Sequence, residues 1–335
     1  PLILAGCGAG GGSSSDSTAA ADTGLSPMAA LGEKIFSDVS LSASGRQSCG
    51  TCHDPQHGHA PDNALPAQLG GPLMDLQGSR STPGIGYLSF NTSFHFDAEG
   101  TPTGGFFWDG RAASFAAQAA EPFLNPVEMA NGSRAEVIVR LERAAYAEEL
   151  KQLFGSDIFT RVDDAYERMT LAIQQYEKED VDFRPFTSKY DEFLRGRVAL
   201  GDQELRGLAL FNSPTKGNCA ACHPSGKGAD GSFPLFTDFT YDTLGVPRNP
   251  ELAQNAAPDF FDLGLCARPA GDMAARTDLC GAFKVPSLRN VAVRKVFFHN
   301  GRFKTLKDTL SFYVQRDTDP QKWYPVGPDG KVKKV

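Results

Sequence analysis

Cys219-Ala-Ala-Cys222-His223 decides how the chain is read, because it repeats an earlier pentad, Cys49-Gly-Thr-Cys52-His53. Cys-x-x-Cys-His is the attachment signature of c-type haem. Two thiols add across the vinyl groups of a porphyrin and fix its edge. The adjacent His then reaches the iron from the proximal face. The alternative is a zinc ribbon, or a redox dithiol beside a chance His. Ribbon pairs stand about 15–20 residues apart, whereas residues 54–218 separate these pentads and both carry the His. Two haems are therefore expected, held by Cys49, Cys52, Cys219 and Cys222, with His53 and His223 as axial ligands.

At 335 residues the chain is long enough for two domains with ordinary cores. A net charge of −7, with no basic block before Lys331-Val332-Lys333-Lys334, speaks against nucleic acid as a partner. The 35 Gly and 22 Pro suit a loop-rich chain in which porphyrin replaces part of the packed core. Cys266 and Cys280 share one Gly/Pro-rich stretch. They either pair as a disulfide, which needs an oxidising compartment, or stay as two thiols.

Leu4-Ala5-Gly6-Cys7 resembles a bacterial lipobox at the end of an apolar signal segment, with Cys7 as the lipidated residue. No basic region precedes it and the first residue is Pro1, so the start looks clipped. A buried or free Cys7 is the alternative. No stretch is long and apolar enough to span a membrane. The expectation is an exported protein, tethered through Cys7 or free in the periplasm.

Residues 8–24 are a Gly/Ser/Ala tether. Order is expected from Ser26-Pro27, an N-cap followed by Pro at the first helical position. Residues 54–107 show little periodicity and many Pro and Gly, as in a stretch that wraps a cofactor. Helical spacing predicts helices at 112–120, 134–146, 147–154, 164–183 and 189–197. Another is capped by Asp202, with Leu205, Leu208 and Phe211 inward. Helix, turn, Cys-x-x-Cys-His occurs twice, and strand signals are sparse. The fold expected is mainly α, two cytochrome c-like domains, each carrying one haem. The division is 1–25 for signal and linker, 26–195 for the first domain and 196–335 for the second.

Axial ligands separate electron carriers from catalysts. Beyond the pentads lie His57, His59, His95 and His299 and five Met. As lone loop residues, His57 and His59 are expected to be solvated, and His95 and His299 to be structural or to contact haem propionates. Thr305-Leu306-Lys307-Asp308 is a capping box that opens a helix with Leu306, Leu310, Tyr313 and Val314 on one inner face. From periodicity alone Tyr313 is a core Tyr, Trp108 a core Trp and Glu128 a surface carboxylate.

Phe106-Phe-Trp-Asp-Gly-Arg111, Gln118, Asn125-Pro-Val-Glu-Met129, Lys284-Val-Pro-Ser-Leu-Arg-Asn-Val291 and Phe298-His-Asn-Gly301 change those readings. In order and spacing they resemble the bacterial dihaem cytochrome c peroxidase family, and most of all its MauG-like branch. The resemblance runs from about residue 28 to the end. It implies that Tyr313, in place of the Met of the other peroxidases, is the second ligand opposite His223. It implies that the His53 iron is open, because Gln68-Leu-Gly-Gly-Pro72 lacks the His that closes this site in many relatives. It implies that Glu128 is the acid–base group, with Gln118 as its hydrogen-bonding partner and Pro122 lining the distal pocket. Trp108 would lie between the haems and couple them.

Three departures qualify the resemblance. The MauG-like branch carries a Trp shortly before its second pentad, where this chain has Gly217. Export of oxidising power to a protein partner by that route is therefore not expected. The family's inter-haem calcium site meets Ser81 and Arg294 here, and Arg brings a cation where Ca²⁺ needs oxygen donors. This argues against calcium, with the Arg charge as a replacement. The family also continues past Lys331-Val-Lys-Lys334 with a further helix, so the resemblance implies truncation at both ends.

The function implied is a dihaem c-type peroxidase. It would reduce hydrogen peroxide at the His53 haem, with the His223/Tyr313 haem as electron-transfer partner and MauG-like high-valent chemistry within its reach. Electrons would come from a small cytochrome c or cupredoxin. One alternative is a MauG-type oxidase acting on a protein partner; another is a dihaem electron carrier with no substrate. A haem-based sensor lacks an output domain.

Overall fold

A computed structural model describes residues 24–333. Cys7, the candidate lipidation site, lies outside the described residues. Among these the architecture is mainly helical, and the strands form three two-residue antiparallel pairs. No helix among them is long and apolar enough to cross a membrane.

Helix α1 (Pro27–Ser37) starts where Ser26 Oγ accepts from the Ala29 amide and Pro27 fills the first position. It runs to α2 (Cys49–Cys52), the first pentad. After α3 (Phe115–Leu124), α4 (Arg134–Glu142) and α5 (Ala147–Phe154) comes α6 (Val162–Glu179), the longest helix described. Leu31, Ile35 and Phe36 of α1 pack on Met169, Ile173 and Tyr176 of α6 in the main core. Gly32 permits the close crossing, since a Cβ there would strike the Ala172 carbonyl. Ser114 caps α3 by accepting from the Ala117 amide, so this helix starts three residues later than the periodicity at 112–120 predicts. Ala112 instead accepts from the Phe106 amide in an isolated bridge.

Helix α7 (Lys189–Leu194) leads to α8 (Asp202–Asn212) and the second pentad. Gly201 is the N-cap of α8, with Glu204 accepting from its amide at 2.7 Å, so Asp202 is the first helical residue and not the cap. Leu205 corrects a second expectation: it is exposed and not turned inward. Phe211 does turn inward and meets Phe236 edge-on. The last helix, α9 (Leu306–Gln315), anchors a separate aromatic cluster through Phe312, with Phe297, Phe303 and Tyr324. Trp323 packs against Phe303 and Phe312 in the same cluster.

The 54–107 stretch is built of turns and the hairpins β1 (Leu69–Gly70) with β2 (Leu76–Gln77) and β3 (His95–Phe96) with β4 (Pro102–Thr103). β5 (Tyr241–Asp242) pairs with β6 (Phe283–Lys284). A buried bidentate pair, Arg289 with Asp191 (2.7 and 2.9 Å), ties α7 to the segment after β6. Cys266 and Cys280 are joined by a disulfide.

Candidate functional site: two histidine-bearing haem pockets

Each pentad His is oriented in the same way. His53 Nδ1 donates to the His59 carbonyl at 3.3 Å, and His223 Nδ1 donates to the Phe236 carbonyl at 2.7 Å. Since a carbonyl only accepts, both rings carry their proton on Nδ1 and keep Nε2 free to ligate. An oriented imidazole of this kind is what a metal ligand needs. Burial lowers both pKa values, that of His53 to about 4, so each ring is neutral and ready to bind.

A cavity of about 950 Å³ opens from the second pentad. Cys219, Cys222 and His223 line it together with Leu306, Leu310, Tyr313 and Val314 of α9. This explains an anomaly of burial. Those α9 side chains share one face, as their spacing predicts, yet they are accessible, Tyr313 to 44%. Their accessible surface looks into the cavity and not into a packed core. Desolvation by this deep position pushes the Tyr313 phenol up to about 12. An apolar cavity lined by a free imidazole, a phenol and two thiols fits a porphyrin.

At the first pentad, Cys49, Cys52 and His53 lie deep, and burial pushes both thiols up. Gln47 Nε2 reaches Cys52 Sγ at 3.8 Å. Glu128 lies close enough for its charge to raise both thiols further. Burial pushes the Glu128 carboxyl up to about 6, against the pull of Arg111 and with the push of Glu121. Its backbone is clamped just after β1, where the Gly71 amide donates to the Glu128 carbonyl at 2.8 Å. A side chain at Gly70 would strike Val127 and Glu128. The stretch without a His thus holds the acid in place. Gln118 and Pro122 stand one turn apart on α3. Among the described residues no hydrogen bond joins the Gln118 and Glu128 side chains.

Trp108 links the two halves. Its indole Nε1 donates to the Ser81 carbonyl at 2.7 Å, its own carbonyl accepts from the Lys284 amide at 2.9 Å, and it lines the large cavity. Of the remaining histidines, His57 pairs with Asp54 and stays half-exposed. His59 is not solvated as expected: it is 1% exposed, because it stacks on Phe183 at 3.8 Å. His95 is exposed, and His299 is buried against Phe283.

One relationship was missed in the sequence. Phe106-Phe-Trp-Asp-Gly-Arg-Ala-Ala-Ser-Phe115 and Phe297-Phe-His-Asn-Gly-Arg-Phe-Lys-Thr-Leu306 are copies of one unit. Both close with an antiparallel bridge, Phe106 to Ala112 and Phe297 to Phe303. Both carry a left-handed Phe, Phe107 at φ 64° and Phe298 at φ 65°, and a left-handed Gly, Gly110 and Gly301. Ser114 and Thr305 then cap ten-residue helices, α3 and α9. Pro122 and Tyr313 fall at the same position of those helices. Setting the two stretches side by side would have shown it.

Two such sites define a dihaem protein. A model of the family described as di-haem cytochrome c peroxidase matches residues 26–199. The methylamine utilization protein MauG of Paracoccus denitrificans is 39% identical over 293 residues, 85% of this chain and 74% of that one. The cytochrome c551 peroxidase of Nitrosomonas europaea is 34% identical over 284 residues, 84% and 71% of the two chains. The crystal structure of the diheme peroxidase BthA from Burkholderia thailandensis matches with a TM-score of 0.83 at 38% identity, covering 90% of this chain and 74% of that one. The chain belongs to the di-haem cytochrome c peroxidase family. It is a MauG-like dihaem oxidoreductase of two cytochrome c-like domains.

Proposed function

We propose that the protein is a periplasmic dihaem c-type peroxidase that consumes hydrogen peroxide at the pocket of His53. Its domains meet near residues 195/196. The observation that carries the reading is that Pro122 and Tyr313 hold the same position in the repeated unit, with Glu128, its carboxyl pushed up by burial, beside the first pentad. Cys49 and Cys52 tether one haem and Cys219 and Cys222 the other. When bound, the first haem iron supplies the site where peroxide is held and its O–O bond is cleaved.

The side chains supply the rest. Pro122 has no donor atom to offer a haem iron held by His53, so it would leave that iron open to peroxide. Glu128 takes the proton from one peroxide oxygen and returns it to the leaving oxygen, work suited to a carboxyl whose pKa sits near 6. Gln118 orients the peroxide or Glu128. Tyr313 would offer the haem held by His223 a phenolate, a hard anionic donor that favours the oxidised metal. Burial disfavours that phenolate, and the charge of a bound iron would offset the cost. Trp108, bonded to Ser81 and to Lys284, stands on the route between the pockets. A small cytochrome c or cupredoxin returns the electrons.

The 39% identity to MauG favours a second reading, an oxidase that acts on a protein partner. Gly217 speaks against the route through an aromatic there, since any side chain at 217 would strike the Leu210 carbonyl.

The test is to mix the fully oxidised protein with one equivalent of peroxide, without reductant, and to follow the Soret and near-infrared bands. An immediate change at both haems is expected. A response only after one-electron reduction would refute the open first site. No response in either state would leave a dihaem electron carrier.

A further inference from the structure

Three consecutive carbonyls join the two pockets. That of Ser81 accepts from the Trp108 indole at 2.7 Å, and that of Thr82 accepts from Arg294 Nη2 at 2.9 Å. The backbone of Pro83 acts on the His53 ring. Arg294 Nε also reaches the Val296 carbonyl at 3.4 Å. Its guanidinium thus sits in a cradle of backbone oxygens, lines the large cavity, and acts electrostatically on His53.

This is an unusual place for an arginine. It is half-buried, makes no ion pair among the described residues, and desolvation alone pulls its pKa down to about 10. It therefore remains charged. A buried charge without an anion is costly. The calcium that the family resemblance implies does not fit here. The Thr82 and Val296 carbonyls are already taken by Arg294, and the nearby Ser81 hydroxyl is buried without a partner. Among the described residues no cluster of acidic, His or Cys side chains could hold a metal ion. Ca²⁺ needs six to eight oxygens.

We propose that Arg294 is a built-in cation between the two haem sites, occupying the carbonyl cradle in place of a divalent metal. It holds the potential of the first haem up, and its counter-anion is a haem propionate. The inference rests on the two haems of the proposed function but on none of the peroxide chemistry. A fixed positive charge beside the first haem disfavours its more positive, oxidised state. Removing that charge must lower the midpoint potential. Arg294 acts through the haem and His53, so it is a positioning residue.

The test uses the haem-loaded protein. Haem is counted first, then calcium is measured by elemental analysis, and both midpoint potentials are determined by redox titration with and without a calcium chelator. The wild type is expected to hold no stoichiometric calcium and to keep both potentials in chelator. Arg294→Gln should lower the first-haem potential, while Arg294→Lys should stay near the wild type. One calcium per chain in the wild type, a chelator-sensitive potential, or an unshifted Arg294→Gln would each overturn the proposal. The wild-type arms decide the matter even if Arg294→Gln does not fold. Fewer than two haems per chain would overturn this inference and the dihaem reading together, and that count tells the two failures apart.

Discussion

Pro122 and Tyr313 occupy the same position of two equivalent helices, α3 and α9, each opened by a Phe-Phe-x-Asp/Asn-Gly-Arg turn and a hydroxyl cap. The phenol at this position lines the large cavity together with His223. A pyrrolidine at the equivalent position presents no donor. On the function proposed above, this difference within a repeated unit would leave the first site open and close the second.

Pro122→Met should close the first iron. The expected signature is loss of the high-spin signal in the oxidised protein and a fall of about a hundredfold in the peroxide rate, as when a site is free in about 1% of molecules. Electron paramagnetic resonance and stopped-flow mixing read the two effects. A variant that stays high-spin would show that Pro122 does not face the iron.

Glu128→Gln should lower the second-order rate with peroxide by about 10²–10⁴-fold. Glu128 acts first as a base, so the wild-type rate should rise as pH increases through about 6 and level off above it. The variant should lose this inflection. An unchanged profile would assign the proton transfer to another group.

Trp108→Phe removes the 2.7 Å bond to the Ser81 carbonyl and the oxidisable indole while keeping an aromatic ring. The first haem should still respond to peroxide at the wild-type rate. The second should respond late or not at all, in spectra recorded on both Soret components. Simultaneous responses would remove Trp108 from the path.

Glu177 on α6 is fully buried with Oε2 unpartnered, and burial alone pushes its carboxyl up to about 8. The folded state keeps a proton that the unfolded chain releases near the ordinary carboxylate pKa. Stability from this group is therefore full at acid pH and declines as pH rises towards 8. Glu177→Gln should raise the melting temperature clearly at pH 8 and little at pH 4. Equal shifts at both pH values would mean that Glu177 is ionised in the fold.

Much of this protein is legible in the chain. The two pentads are local patterns, and the Ser26-Pro27 start of α1 and the Thr305 cap of α9 are written in neighbouring residues. The motif order from Trp108 to Tyr313 carries the family. What was not legible depends on what packs where. Leu205 has the spacing of a buried face, yet it is exposed in the fold. His59 looks like a solvated loop residue until Phe183 is found stacked on it.

The sequence by itself determined the cofactor class, the helical character and the family, because these follow from residue types at short spacings. Only the tertiary structure decided that the apolar face of α9 lines a cavity and that Glu128 is buried beside the first pentad. It alone placed Trp108, Arg294 and His53 along three successive carbonyls, Ser81 to Pro83. Burial and convergence of distant segments set a carboxyl's proton affinity and a guanidinium's partners, and neither is a property of any one stretch of chain.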